Sequence, residues 1–133
     1  MDGLKTIPSE FGPTETMARL EAQVRAKGMT VFARIDHSAG ATEIGLALRP
    51  TVLLIFGNAR AGTPLMQESQ TAGIDLPLKA LVWQDSSGKT WLSYNDPQWI
   101  GSRHSLHAQP IPAMAVALES VAQGATQAPT SVL

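Results

Sequence analysis

The segment Val52-Leu-Leu-Ile-Phe56 constrains the fold more than any other part of the sequence. Arg49-Pro50 breaks the element before it, and Gly57-Asn58 stops the apolar run after it. Five consecutive large apolar residues between two such breaks indicate a short strand that is buried on both faces. We therefore expect the chain to fold around a sheet whose dry centre contains this strand.

A helix is predicted upstream of this strand. Pro13 suits the first helical turn, and Met17, Leu20 and Val24 recur at i, i+3 and i+7, which places them on one face. Gly28 then suits a left-handed cap at the end of the helix. An amphipathic helix packed on the sheet follows from this pattern.

The apolar period changes to that of a strand over residues 29–36. Alternation places one apolar set on a single face, opposite Phe32, Arg34 and Asp36. The members of that apolar set are Val31, Ala33 and Ile35. Ser38 is the expected N-cap of a second, short helix that extends to Leu46.

Turn and cap residues divide the following segment. Thr63-Pro64 predicts the N-cap and first turn of a helix that ends at Gly73. The preceding residues 57–62 then form a turn, since they lack the glycine pattern and the lysine of a phosphate-binding loop. Residues 78–84 and 90–94 flank Asp85-Ser-Ser-Gly88, which predicts a β-hairpin.

Two further helices are expected near the C-terminus. Asn95-Asp96-Pro97 has the pattern of a helix start. Pro112 opens a final helix, about residues 112–123, with Met114, Leu118 and Val121 on one face, and the small, polar tail after Gly124 is expected to fray.

These elements predict an α+β fold in which a single, mostly antiparallel sheet carries helices packed on one face. Residues 1–133 are expected to form one domain, with a core over about residues 14–107, because the sequence has no internal repeat and no long linker. With 44% hydrophobic residues, the chain has enough apolar surface to offset the entropy of ordering.

A series of short motifs in fixed order carries a family resemblance. They are Phe32-Ala-Arg-Ile-Asp-His37, Leu48-Arg-Pro-Thr51, Ile55-Phe-Gly-Asn58, Gly62-Thr-Pro-Leu-Met66, Asp75-Leu-Pro-Leu78, Gly88-Lys-Thr-Trp91 and Tyr94-Asn-Asp-Pro97. From about Thr14 to about His107 the chain resembles the bacterial domain-of-unknown-function 302 family. The resemblance implies a TATA-box-binding-protein-like fold but no DNA binding, because folds host unrelated functions. The family usually has proline after the Gly-Asn pair, where this chain has Ala59, and the resemblance supplies no catalytic residues.

Composition excludes several classes of function. The chain has no cysteine, which excludes disulfides, thiolate nucleophiles and cysteine-held metal centres. The net charge of −1 without a basic tract argues against nucleic acid as a partner. The longest apolar run is far shorter than a membrane span, and the polar start lacks the apolar core of a signal peptide, so we expect no membrane partner and a cytoplasmic location.

Polar residues at the predicted element ends are the candidate site. The leading hypothesis is a non-enzymatic module that binds a small anionic or polar ligand between the Asn58 loop and the Tyr94–His104 segment. The alternative is that these residues have structural roles, because Asn and Asp also stabilise turns by bonding their own backbone. The ligand-binding candidates are His37, Asn58, Arg60, Met66, Tyr94, Asp96, Arg103 and His104.

Alternatives remain. His37, Met66 and His104 are residue types that bind metal or haem, or that serve an enzyme, although no cofactor is required by the sequence and the histidine spacing is looser than that of a zinc motif. The weak net charge favours self-association, so a homodimer is expected, and a purely structural dimer module without ligand is a third possibility.

Overall fold

The computed structural model describes residues 1–129 of the chain. In chain order the elements are β1 (Leu4–Pro8), α1 (Pro13–Ala26), β2 (Thr30–Asp36), α2 (His37–Glu43), β3 (Thr51–Gly57), α3 (Ala59–Glu68), a 3₁₀ helix (Gln70–Ile74), β4 (Leu78–Gln84), β5 (Thr90–Asn95), α4 (Pro97–Arg103) and α5 (Pro110–Thr126). Within these residues, no helix is both long enough and apolar enough to cross a bilayer.

The strands of the described residues form one antiparallel sheet in the order β1-β5-β4-β3-β2. The predicted hairpin is confirmed as β4 and β5, and β4 is the central strand. The expected α+β class with a mostly antiparallel sheet is therefore confirmed. The N-terminal strand β1 adds to the free edge of β5, with Thr6 opposite Ser93.

The core lies between one face of the sheet and the helices. Leu54 and Phe56 of β3 are fully buried there. The three apolar residues predicted for the inner face of α1 are buried, as are those predicted for α5. Burying a side chain the size of Phe56 stabilises the fold by roughly 1.5–3 kcal/mol, so this layer accounts for much of the stability.

The prediction that Val52–Phe56 is buried on both faces is wrong. Leu53 and Ile55 alternate with the fully buried Leu54 and Phe56 and are only partly buried. The reason is the one-sided packing of the helices, which leaves the opposite face of β3 without a covering layer. A continuous apolar run does not distinguish this arrangement from a strand covered on both sides.

A β-bulge also changes the predicted faces of β2. The register shifts between Val31 and Ala33, so that Val31 pairs with Phe56 whereas Ala33 pairs with Ile55. An extra residue in one strand moves the following side chains to the opposite face. Val31 therefore packs against the core, whereas Ala33 and Ile35 lie on the uncovered face.

Several predicted helix boundaries are corrected. The helix α3 begins at Ala59, so Pro64 lies inside it, and residues 59–62 of the turn predicted at 57–62 form its first turn. Asp36, not Ser38, caps α2, because its carboxylate accepts from the backbone N–H of Ala39.

The last helix begins earlier and ends later than predicted. It starts at Pro110 and continues through Gly124 to Thr126. Gly124 lies against the amide end of the Gln23 side chain of α1, which would have to move to admit a Cβ atom. Gly124 therefore lies within the helix and does not end it. The predicted fraying of the tail after Gly124 is wrong for residues 125–126, which are helical, and residues 130–133 lie outside the described residues.

Candidate functional site

An apolar cavity of about 560 Å³ lies at the end of the sheet where β3 finishes and β4 begins. Its walls come from the end of α1, from β2, from α3, from the segment that leads into β4 and from the N-terminal half of α5. Its large apolar lining residues are Met29, Phe32, Met66, Leu76, Leu78, Met114 and Leu118. The cavity therefore offers a mainly hydrophobic surface of the size that small-molecule sites have.

The junction between β3 and α3 shapes one wall of this cavity. Gly57 has φ of 155°, a conformation that side chains disfavour. The strand can therefore pass straight into Asn58, whose side-chain oxygen accepts the backbone N–H of Ala61 at 2.7 Å. The N-terminus of α3, with its partial positive charge, is thereby fixed at the cavity wall.

Two further polar side chains line the cavity. Thr63 lies one helical turn beyond Asn58, and Lys27 at the end of α1 is the charged residue among the described lining residues. Lys27 is exposed. The polar part of the lining is therefore small and its charge is positive.

A separate polar cluster joins α4 to the 3₁₀ helix. His104 Nδ1 lies 3.0 Å from Thr71 Oγ1, and His104 Nε2 lies 2.5 Å from Asp75 Oδ2. Arg103 donates to both oxygens of Asp75, at 3.0 and 3.1 Å. Since each ring nitrogen of His104 has a protein partner, this imidazole is not free to bind a metal or haem iron in this arrangement.

The remaining candidates lie elsewhere. The ring of Tyr94 is buried in the core, where burial, and then the negative charges of Glu119 and Asp96, raise its pKa. Asp96 caps α4 through the N–H of Gln98 and lies 3.9 Å from the amino group of Lys5. Arg60 is exposed in the first turn of α3 and does not line the cavity.

His37 lies at the opposite end of the sheet. It begins α2, which is joined to the start of β3 by the hydrogen bond from the Thr51 N–H to Ser38. Asn58 and Met66 follow the far end of β3, and seven residues of strand extend about 20 Å. The set His37, Met66 and His104 therefore does not come together, and no cluster of three potential metal ligands occurs within residues 1–129.

The structure thus divides the eight candidates. Asn58 and Met66 line the cavity, Arg103 and His104 form the polar cluster, and the other four lie apart from both. The predicted cleft between Asn58 and the Tyr94–His104 segment is not formed, since β5 directs Tyr94 into the core. The sequence-based prediction selected mainly polar residues at the ends of helices and strands, and it did not identify the apolar residues that line the cavity. The one signal for that lining was the number of methionines, since three of the five line it.

The uncovered face of the sheet carries the two tryptophans of the hairpin. The rings of Trp83 and Trp91 stack with centroids 6.1 Å apart. The indole N–H of Trp91 donates to Asp85, which together with hydrogen bonds from Ser87 lowers the pKa of that carboxyl well below its ordinary value. Asp85 therefore ties the turn of the hairpin to its aromatic surface.

Together, the sheet, its one-sided helices and the cavity at the end of β3 define the class of protein as a compact α+β domain. The family model described as "Domain of unknown function DUF302" matches residues 5–125. The chain belongs to this family, as its motifs predicted. A crystal structure of an uncharacterized conserved DUF302 protein from Bacillus stearothermophilus has the same fold, with a TM-score of 0.72, 22% identity and 94% of each chain covered.

Curated relatives come from Brucella. The chain is 54% identical over 104 residues to fluoride-specific ion channel FluC 1 of Brucella suis, a match that covers 78% of this chain and 41% of that protein. FluC 1 of Brucella abortus and FluC 2 of Brucella melitensis match with the same identity, and 38% of each is covered. The chain thus spans about two fifths of the length of these relatives.

Proposed function

We propose that this domain is a non-enzymatic binding module that holds a small amphipathic ligand in the cavity between α3 and α5. The main observation that supports this proposal is the cavity of about 560 Å³ with its predominantly apolar lining. Pockets of roughly 300–1,000 Å³ with few polar groups are typical of small-molecule sites. From the sequence we expected a small anionic or polar ligand, whereas this lining favours a ligand with an apolar body.

The charge of the rim supports an anionic head group. Lys27 supplies a full positive charge, and the N-terminus of α3 behind Asn58 supplies a partial one. The Asn58 side-chain oxygen is engaged by Ala61, which leaves its amide N–H groups to donate. An amphipathic carboxylate or sulfonate therefore matches both parts of the lining.

A pair of fluorescent probes tests this proposal. 1-Anilinonaphthalene-8-sulfonate and N-phenyl-1-naphthylamine share the aromatic body, and the sulfonate belongs to the first alone. We expect both to bind the native chain saturably with one site. Replacing Ala113, which lines the cavity, by tryptophan fills the space and should abolish binding of both probes, whereas Val116→Trp on the exposed face of the same helix should leave it unchanged. Equal binding to both variants would refute the cavity as the site.

Head-group recognition is tested separately. Lys27→Met removes the rim charge, and Asn58→Asp keeps a good N-cap while adding a negative charge. Each should weaken the sulfonate probe at least several-fold and leave the uncharged probe unchanged. Equal effects on both probes would show that these residues act through the fold and not through charge.

The Brucella relatives suggest which proteins such a module is associated with. More than half of each relative lies outside the similarity, so the activity in their name need not belong to the part that this chain matches. We infer that the domain is an accessory binding module associated with fluoride-specific ion channels. Removing the matching part from the Brucella suis protein should leave fluoride flux into vesicles intact and abolish its response to amphipathic anions; loss of flux itself would contradict the inference.

Fluoride is a poor fit to the cavity itself. A small anion loses its hydration on entering an apolar site, which costs far more than one lysine at the rim restores. Fluoride should therefore not displace either probe.

The cytoplasmic location stays a prediction, which fractionation of cells that express the tagged chain can test.

A further inference from the structure

The face of the sheet opposite the helices forms a second surface, here called the open face. Strand pairing places Trp83, Leu81 and Lys79 of β4 on it, flanked by Leu53 and Ile55 of β3. These side chains are only partly buried, and Leu4 and Ile35 at the two edges are 39% and 41% exposed. Thr6, Ser93 and Asn95 add polar atoms on the β1 and β5 side of this face. The apolar part over β2, β3 and β4 is the kind of surface that protein interfaces bury.

We propose that the open face is the interface of a homodimer with two-fold symmetry, in which two sheets pack face to face. The axis of a symmetric dimer requires a surface that matches itself. Leu81 lies at the middle of the central strand, so it is the natural position for that axis.

The cationic and aromatic residues of β4 are complementary to each other about this axis. Lys79 and Trp83 stand two residues to either side of Leu81 on the same face. A two-fold axis that crosses β4 at Leu81 brings Lys79 of one copy opposite Trp83 of the other. An ammonium group over an indole ring is attractive, most of all when both are removed from water.

The size of the open face fits a second copy. Five strands at a spacing of about 4.8 Å and about 20 Å long outline roughly 500 Å². Because side chains project from the face, its accessible surface area is larger than this flat outline and approaches the roughly 800 Å² per partner that stable complexes bury. Aligned packing of two sheets, with their inner faces about 10 Å apart, is a common arrangement of such surfaces.

Sedimentation velocity over a wide concentration range tests the proposal. We expect the native chain to dimerise, Leu81→Lys to be monomeric with an unchanged circular dichroism spectrum, and Val116→Lys, on the exposed helical surface, to dimerise like the native chain. A native chain that stays monomeric at all concentrations, or a Leu81→Lys variant that remains dimeric, would overturn the proposal.

Cross-linking gives a second readout that does not depend on a disruptive charge. Because the chain has no cysteine, Leu81→Cys introduces one thiol on the proposed axis. A short bismaleimide should join two copies at position 81 efficiently and should not join copies of the matched variant Val116→Cys. Cross-linking that is absent at position 81, or equal at both positions, would contradict the two-fold arrangement.

Discussion

His104 Nε2 lies 2.5 Å from the Asp75 carboxylate, and the other ring nitrogen of His104 contacts Thr71. This pair joins the end of α4 to the segment that leads into β4. That segment continues into Leu76 and Pro77, which line the cavity. The contact between His104 and Asp75 therefore supports one cavity wall from outside.

Alanine substitution of this pair should reduce stability. Asp75→Ala leaves Nε2 of the partly buried His104 without its partner, which costs about 1–3 kcal/mol. His104→Ala should cost less, about 0.5–1.5 kcal/mol, because Asp75 keeps its hydrogen bonds from Arg103. The double variant should lose less than the sum, because both changes remove the same contact. Urea unfolding measures these values, and His107→Ala, whose side chain is exposed, is the matched control. Strict additivity would show that the two residues are not coupled.

Asp85 should make stability sensitive to acid. Its pKa is lowered in the folded chain, so its contribution is present above the ordinary value of 3.8 and is lost as pH falls below that value. Asp85→Asn should lower the melting temperature at neutral pH, and the difference from the native chain should shrink as the pH falls below 3.8. A difference that is constant with pH would contradict the role of the carboxylate charge.

Tyr94 should act at the other end of the pH range. Its pKa is raised by burial, so above the ordinary value of 10.0 the unfolded chain releases the phenol proton before the folded chain does. Stability should therefore fall as pH rises through this range, and it should fall less in Tyr94→Phe. Denaturant unfolding of both proteins on either side of pH 10 measures the difference. If the free energy of unfolding changed equally with pH in both proteins, the phenol of Tyr94 would be exposed to water and not buried.

Adjacent residues of β3 should differ sharply in their contribution to stability. Phe56 is fully buried beneath the helices, so Phe56→Ala should cost about 3–5 kcal/mol. Ile55 points to the open face and is partly buried, so Ile55→Ala should cost well under half as much in the monomeric Leu81→Lys background. Comparable losses in urea unfolding would show that both faces of β3 are covered.

Local sequence signals were sufficient for most of the fold. The periodicity of Met17, Leu20 and Val24 gave the buried face of α1, and Asp85–Gly88 gave the hairpin, because these patterns depend on neighbouring residues alone. The bulge at β2 and the start of α3 could not be obtained in this way. Each depends on how a strand pairs with β3 or leaves it, which local spacing does not specify.

The candidate site was less predictable than the fold. Asn58 and Met66 were two of the eight candidates and both line the cavity, but Met29 and Met114 approach them only through the packing of α1 and α5. Apolar residues that line a cavity have the same sequence pattern as those that fill a core, so no local signal separates them. His104 was selected as a possible ligand-binding residue, but its hydrogen bonds to Asp75 and Thr71 hold α4 against the 3₁₀ helix.

The methyl groups of the five methionines test the cavity most directly. In a chain labelled with ¹³C at these methyls, Met29, Met66 and Met114 report on the cavity, whereas Met1 is fully exposed and Met17 is buried in the core without lining the cavity. On titration with 1-anilinonaphthalene-8-sulfonate, we expect the three cavity signals to shift together and saturate while the other two stay fixed. Shifts confined to Met1 or Met17, or no saturable shift in the three cavity signals, would contradict a binding function for this cavity.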